Sequence, residues 1–239
     1  ERKFFKFIGY VKTMRWLMGS PDLIVSPSKF LLDFYKRSKF FPKSKQVVLP
    51  NPVKGLLNIT KQSSHNLELV FLGQVNKSKG VLDLIANFKK LKYKNIRLHI
   101  VGVGTDFAKA KKLAGKDKRI KWHGWLPSVQ LMPLLAKMDV LVVPSLCYEN
   151  SPTVIYEALA LGIPVLAADI GGVAELVQEG HNGWVFPAGD FDTMNKKINI
   201  IYKQRDKLSK LVQNCKQSVD KYHADKYSKK ILELIDEIK

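Results

Sequence analysis

Two carboxylates, Glu149 and Glu157, are separated by seven residues and lie on either side of a proline that can start a helix. The preceding run at 140–143 is wholly apolar, which is typical of a strand buried on both faces. Pro152 suits a first helical turn, where the backbone N–H has no partner within the helix. Such a strand-to-helix turn directs free backbone N–H groups to the carboxyl edge of a sheet, where α/β proteins bind phosphates. One polar ligand could therefore meet a loop carboxylate and a helix carboxylate.

A second group of residues also points to phosphate chemistry. Gly73 follows another apolar run, and Lys79 comes shortly after it. A glycine lets backbone approach a phosphate closely, and a cation stabilises charge that develops on a leaving phosphate. A rival interpretation makes Glu149 and Glu157 the acid and nucleophile of a glycoside hydrolase, but it leaves Lys79 without a role.

The elements that must hold these residues alternate between apolar runs and amphipathic segments. This alternation predicts an α/β fold with a parallel sheet and helices on both faces. Residues 191–237 add two or three charged amphipathic helices. We predict strands at 68–72, 96–102, 119–122, 139–143, 164–168 and 183–186, and helices at 80–91, 105–115, 128–137, 152–161 and 171–178.

Several sequence blocks follow one another in the order of a known family. They resemble the retaining GT-B glycosyltransferases with the Glu-x7-Glu signature, the family 4-like enzymes also called glycosyl transferases group 1. The resemblance implies a Rossmann-like donor-binding domain, which is the C-terminal domain of those two-domain enzymes. The blocks lie at 71–80, 98–104, 123–127, 149–157, 167–175 and 180–187.

The resemblance also implies roles for individual residues. Lys79 and Glu149 would be catalytic, with Lys79 on the donor diphosphate and Glu149 on the sugar hydroxyls. Glu157 would accept hydrogen bonds from the ribose, and Leu126 would contact the base. No metal or other cofactor is implied, because the histidines lack partners at ligand spacing in the sequence and the cations of the protein would take the place of a metal. The other donor-binding positions would be Gly73, Gln74, Asn150, Ser151, Pro152 and Thr153.

Gln74 is a departure from the family pattern, which commonly has arginine there. Glutamine donates hydrogen bonds but carries no charge. We expect weaker donor binding, with loss of activity as the alternative.

The domain organisation follows from the same resemblance. Residues 1–53 resemble a remnant of the N-terminal Rossmann-like domain with its linker, residues 54–220 the donor-binding domain, and residues 221–239 a helix that crosses back toward the first domain. We therefore expect either part of a longer enzyme or a partner chain that supplies the acceptor side.

Residues 1–18 mix aromatic and basic side chains at roughly helical spacing. One interpretation is an amphipathic helix on an anionic membrane. The other is a helix that packs on the N-terminal domain, which is favoured because residues 21–29 resemble the last strand and helix of that domain.

Composition limits the remaining function classes. The chain has 239 residues and a net charge of +19, which suits phosphorylated substrates, anionic lipid or nucleic acid. The aromatic residues are not interleaved with arginines, so we expect no nucleic-acid partner. The absence of a long apolar run or signal-peptide pattern indicates a cytoplasmic protein, which could be peripheral at the inner membrane face.

The sequence thus predicts transfer of a hexose from a UDP- or GDP-sugar to a glycan, a lipid-linked saccharide or another hydroxyl acceptor. The resemblance implies retention of configuration and no need for metal. Two alternatives stay open. The first is a non-catalytic nucleotide-sugar binding or scaffolding protein, which Gln74 favours. The second is a sugar epimerase of similar architecture.

Overall fold

The computed structural model describes residues 2–53 and 64–238, with side chains from residue 9 onward. The first part contains a helix, a strand, a second helix and a second strand. The two strands pair in parallel, with Leu23 opposite Lys45. These elements are α1 (Arg2–Met18), β1 (Leu23–Ser26), α2 (Lys29–Arg37) and β2 (Lys45–Val48).

The second part is built on a six-stranded sheet, counted over the described residues, in which every neighbouring pair is parallel. Its strand order is β5-β4-β3-β6-β7-β8. All six predicted strands are present, with small shifts at their ends. They are β3 (Leu67–Leu72), β4 (Ile96–Val101), β5 (Ile120–Gly124), β6 (Val140–Val143), β7 (Val165–Asp169) and β8 (Gly183–Pro187).

Helices cover both faces of this sheet, as the alternating pattern predicts. Successive side chains of a strand point to opposite faces. Leu69 and Phe71 therefore enter one buried apolar cluster, whereas Val70 enters the other. The helices are α3 (Val81–Phe88), α4 (Phe107–Ala114), α5 (Ser128–Leu135), α6 (Thr153–Ala160), α7 (Phe191–Lys203), α8 (Val212–Val219) and α9 (Ala224–Asp236).

The helix predicted at 171–178 is wrong. The structure has only a 3-10 turn at Val173–Glu175 in that segment. Gly171 adopts a positive φ of 68°, and its backbone packs against the loop after β6, so an α-helix cannot begin there. The segment is therefore shaped by a tertiary contact.

The C-terminal part of the described chain returns to the N-terminal part. The amide of Val53 donates to the carbonyl of Tyr222 at 2.7 Å. Farther along, Lys45 and Glu237 form an ion pair. The residue that follows the last helix thus contacts the first residue of β2.

Helix α1 forms where the sequence predicts a helix, but the side chains of residues 1–8 lie outside the described residues. The aromatic positions predicted at Phe4, Phe5 and Phe7 fall in that part. Within the described residues, no helix is long and apolar enough to cross a bilayer.

Candidate functional site

An ion pair joins the two residues that the sequence singles out for catalysis. Lys79 Nζ lies 2.7 Å from Glu149 Oε1, and Ser145 Oγ donates to the same carboxylate oxygen at 2.6 Å. The Glu149 side chain is only 12% exposed and that of Lys79 31%. Partial burial strengthens their attraction relative to water. An ammonium has three N–H donors, so Lys79 keeps two for another acceptor.

A capped 3-10 turn at Lys77–Lys79 holds the backbone of Lys79. Asn76 Oδ1 accepts from the amide of Lys79 at 3.0 Å. At the start of the turn, Asp106 Oδ2 accepts from the amide of Lys77 at 2.7 Å. Two side chains thus satisfy backbone donors that the short turn leaves open.

The same turn packs against the end of β6. A Cβ on Gly80 would lie 1.8 Å from the carbonyl oxygen of Pro144, so this position requires glycine. The amide of Leu146 donates to the carbonyl of Ser78 at 2.8 Å. The Lys79 turn and the chain leading to Glu149 are therefore locked together through their backbones.

Two glycines support the Glu149 loop from the other side. A Cβ on Gly171 would lie 2.3 Å from the carbonyl oxygen of Glu149, and one on Gly172 would lie 2.2 Å from that of Asn150. The amide of Gly172 donates to the Glu149 carbonyl at 2.7 Å. Only a segment without side chains can approach the loop this closely.

The start of α6 lies where Pro152 predicts it. Pro152 precedes the first helical residue, Thr153, whose side chain is exposed, as is that of Asn150. Ser151 is buried, and its hydroxyl lies 2.7 Å from the hydroxyl of Tyr156. Burial raises the pKa of Tyr156 to about 12, so this tyrosine stays neutral at physiological pH. The Ser151 hydroxyl is therefore engaged inside the protein.

The remaining predicted residues follow strands of the sheet or lie on α6. Gly73 and Gln74 follow β3, and the exposed Gln74 accepts from Asn76 Nδ2 at 3.2 Å. Leu126 follows β5 and packs partly into the apolar cluster beneath α5 and α6. Glu157 is half-buried on α6. Parallel strands bring Gly73, Gln74 and Leu126 to one edge of the sheet. Side-chain bonds there join Lys79 to Glu149 and Gln74 to Asn76.

Sequence reasoning missed the residues that support the pair. Ser145 donates to Glu149, and Asn76 accepts from the amide of Lys79. Asp106 accepts from the amide of Lys77, which opens the turn that carries Lys79. The one available signal was Asn76, whose position three residues before Lys79 is that of a helix cap.

It also missed a chain of polar side chains across β3, β4 and β5. His99 Nδ1 lies 2.9 Å from His123 Nε2, and His99 Nε2 lies 2.9 Å from Glu68 Oε2. Burial first, and then the electrostatic effect of the neighbouring His99 ring, lowers the pKa of His123. Burial alone would raise the pKa of Glu68, but hydrogen bonds, the strongest from His99, outweigh it and lower that pKa. Strand register alone would not have paired them, because Glu68 lies opposite Arg97 and His99 lies opposite Lys121.

The model of the family described as Glycosyl transferases group 1 matches residues 58–218. The chain belongs to this family. Among curated relatives of this group 1 family member, the lipopolysaccharide 1,6-galactosyltransferase of Escherichia coli K12 is 27% identical over 206 residues, covering 81% of this chain and 52% of that protein. The chain spans about half the length of the curated relatives it matches.

Solved structures agree with the fold of this group 1 family member. A glycosyltransferase from Rickettsia africae superposes with a TM-score of 0.83 at 20% identity, covering 96% of this chain and 67% of that one. Anabaena HepE in complex with UDP-glucose gives a TM-score of 0.77 at 21% identity, covering 90% and 64% respectively. The sheet and its two helical layers therefore have the Rossmann-like architecture of GT-B glycosyltransferases.

Proposed function

We propose that this chain is the donor-binding part of a retaining, metal-independent glycosyltransferase that takes a hexose from a UDP- or GDP-sugar. The ion pair between Lys79 and Glu149 at the carboxyl edge of the sheet carries the proposal. This edge is where α/β folds bind nucleotides, and the pair offers a cation and a carboxylate to one ligand. Anabaena HepE, which has the same fold, was solved in complex with UDP-glucose, and this supports a uridine diphosphate donor.

Each residue of the proposed site has a chemical task. The two remaining N–H donors of Lys79 bind diphosphate oxygens and stabilise the charge that grows as the sugar leaves. Glu149 accepts hydrogen bonds from sugar hydroxyls, while Glu157 accepts from the ribose and Leu126 contacts the base. Gly73 and the chain at 150–153 complete the donor site with backbone groups and shape.

The acceptor is a glycan, a lipid-linked saccharide or another hydroxyl compound. The galactosyltransferase of lipopolysaccharide among the relatives supports a saccharide acceptor. Exposed Trp16 and Leu17 on α1, beside Lys12 and Arg15, support contact with an anionic membrane at the cytoplasmic face. Residues 1–53 serve as part of the first domain, and α9 links back to it.

Calorimetry with UDP, GDP, UDP-glucose and GDP-mannose tests the proposal. We expect the chain to bind at least one diphosphate equally well with and without EDTA, because protein N–H donors provide the positive potential. Binding that disappears on chelation would contradict the metal-independent site. If all four compounds fail to bind, the donor-binding function itself is wrong. Tight nucleotide-sugar binding without transfer by the complete protein would favour the non-catalytic alternative that Gln74 suggests.

A further inference from the structure

Glu175 binds the N-terminus of a helix that is distant in sequence. Its Oε2 accepts from the amide of Lys29 at 2.9 Å, and its Oε1 accepts from the amide of Phe30 at 2.7 Å. These two amides open α2, where backbone N–H groups have no partner within the helix and the helix dipole favours negative charge. One carboxylate thus fastens α2 to the segment that begins at Gly171.

The helix held in this way touches the loop that carries Glu149. The ring of Phe30 packs on that of Tyr148 with centroids 5.2 Å apart, and Tyr148 immediately precedes Glu149. Gly171 packs against the Glu149 carbonyl, and the next residue, Gly172, lies close to Ser28. A Cβ on Gly172 would lie 3.1 Å from the Ser28 Cβ.

A further hydrogen bond ties the same loop to the N-terminal part of the chain. Asn51 Nδ2 donates to the carbonyl of Ser151 at 3.1 Å. The loop at 148–151 is therefore contacted at its first residue by α2 and at its last by the stretch after β2. The Gly171–Gly172 segment contacts its middle.

We propose that Glu175 and α2 form a latch that positions the Glu149 loop, and that the latch sets the affinity for the sugar part of the donor. The assignment of Glu149 to the sugar rests on the proposed function. Glu175 acts through the loop, so it is a positioning residue. The prediction for the ligand is specific: opening the latch weakens binding of a nucleotide sugar more than binding of the nucleotide alone.

The chemistry of the contact makes the latch reversible. Glu175 is exposed, so water competes with the α2 amides for its carboxylate. The two amides have this charged acceptor only while α2 lies against Glu175. A glutamine offers one oxygen to these donors and turns an N–H₂ group toward the other. Glu175→Gln therefore removes the second acceptor and the charge while it retains the size of the side chain.

Hydrogen exchange and calorimetry on Glu175→Gln and Glu175→Ala test this proposal. We expect faster exchange at residues 29–31 and at 145–150, a roughly three- to tenfold loss of affinity for UDP-glucose or GDP-mannose, and little change for UDP or GDP. Glu179→Gln is the matched control, because Glu179 also accepts from a backbone amide, but from that of Val185 on β8. It should leave all of these values unchanged.

Phe30→Leu is a second variant that retains an apolar side chain and removes the ring contact. It should speed exchange at 145–150 and leave the Glu175 hydrogen bonds in place. Unchanged exchange at 145–150 in both the Glu175 and the Phe30 variants would overturn the latch. Equal losses for UDP-glucose and UDP would overturn its link to the sugar. If the parent protein binds no donor, the proposed function fails, and the exchange data alone then decide whether the latch exists.

Discussion

At the scale of single residues, the central feature is a lysine that a carboxylate already neutralises in part. Lys79 has Glu149 at 2.7 Å, and Ser145 supports the same oxygen. Under the proposed function, we expect a diphosphate to bind the free N–H donors of this ammonium without displacing Glu149. The pair is thereby suited to hold a phosphate and a sugar hydroxyl next to each other.

Lys79→Ala should weaken diphosphate binding by about 1.5–3 kcal/mol, which is the usual cost of losing a hydrogen bond to a charged group. Glu157→Ala should instead weaken binding of the nucleoside. Calorimetry with UDP or GDP and with uridine or guanosine measures both effects. Lys77→Ala is the control, since that exposed neighbour engages the turn through its backbone amide. If the Lys79 and Glu157 variants act equally on the nucleoside, the two roles are assigned wrongly.

Gln74→Arg should tighten nucleotide diphosphate binding up to tenfold, which corresponds to about 1.4 kcal/mol. Gln74 is exposed, so an arginine there need not be buried, and it would supply the second cation that the family commonly has. Affinity for UDP and GDP measured at two salt concentrations tests this, because a charge contact weakens with salt. Unchanged or weaker binding by a folded variant would indicate that the site is reshaped around glutamine.

At the scale of elements, close backbone packing replaces side-chain contacts behind the Glu149 loop. Gly171→Ala should destabilise the protein and weaken donor binding, because the new Cβ collides with the Glu149 carbonyl. Overpacking of this kind typically costs about 1–3 kcal/mol. Gly180→Ala provides a matched control: Gly180 has a similar φ of 72° against 68°, but a Cβ there meets nothing within 4 Å.

Thermal unfolding and UDP-glucose titration of the two glycine variants separate strain from collision. Equal effects in both would mean that the positive φ alone matters, and that the contact with the loop is unimportant. A loss of donor affinity confined to Gly171→Ala supports the packing account.

The polar chain across three strands should make stability depend on pH. The pKa of His123 is lowered from 6.5, so the unfolded state takes up this proton more readily, and the free energy of unfolding falls as the pH drops below about 6.5. The pKa of Glu68 is lowered from 4.5, so its carboxylate stabilises the fold at pH values above about 4.5. This contribution is lost as the pH falls below about 4.5.

His123→Gln should flatten the decline in stability between about pH 6.5 and pH 5, since the titrating group is removed. Urea unfolding at several pH values measures this slope. The exposed His181→Gln should leave it unchanged. An identical slope in the His123 variant would show that other groups govern the pH dependence.

At the scale of the whole molecule, the end of the first helix carries three consecutive exposed apolar side chains. Trp16 is 79% exposed, Leu17 60% and Met18 50%. The net charge of +19 favours binding of the chain to an anionic surface, against which these apolar side chains could lie. We expect this chain to self-associate or to bind anionic vesicles through residues 1–18.

Sedimentation and vesicle flotation test this expectation on the double variant Trp16→Ser, Leu17→Ser. The variant should lose association, because the exposed apolar area that drives it is removed. The control Phe34→Ser changes a residue that is 53% exposed on another helix. A parent chain that is a monodisperse monomer and does not bind anionic vesicles would contradict the expectation.

The alternation of strands and helices could be read from the sequence because apolar periodicity is a local property. Each of the six strands of the large sheet was predicted for that reason, whereas the start of α6 was predicted from the position of Pro152. The family blocks suggested the candidate residues along the chain, and the matching family and fold confirm the resemblance to group 1 glycosyltransferases of GT-B fold.

Only the tertiary structure decided which of those residues meet. Lys79 and Glu149 are 70 residues apart, and Glu175 and Lys29 are 146 apart, so no local pattern relates them. The same long-range packing turned the predicted helix at 171–178 into a 3-10 turn, because its glycines are used to approach the Glu149 loop. Sequence periodicity predicts most of the elements, whereas the partners of a side chain, and the elements that close packing reshapes, depend on how the sheet and loops bring distant segments together.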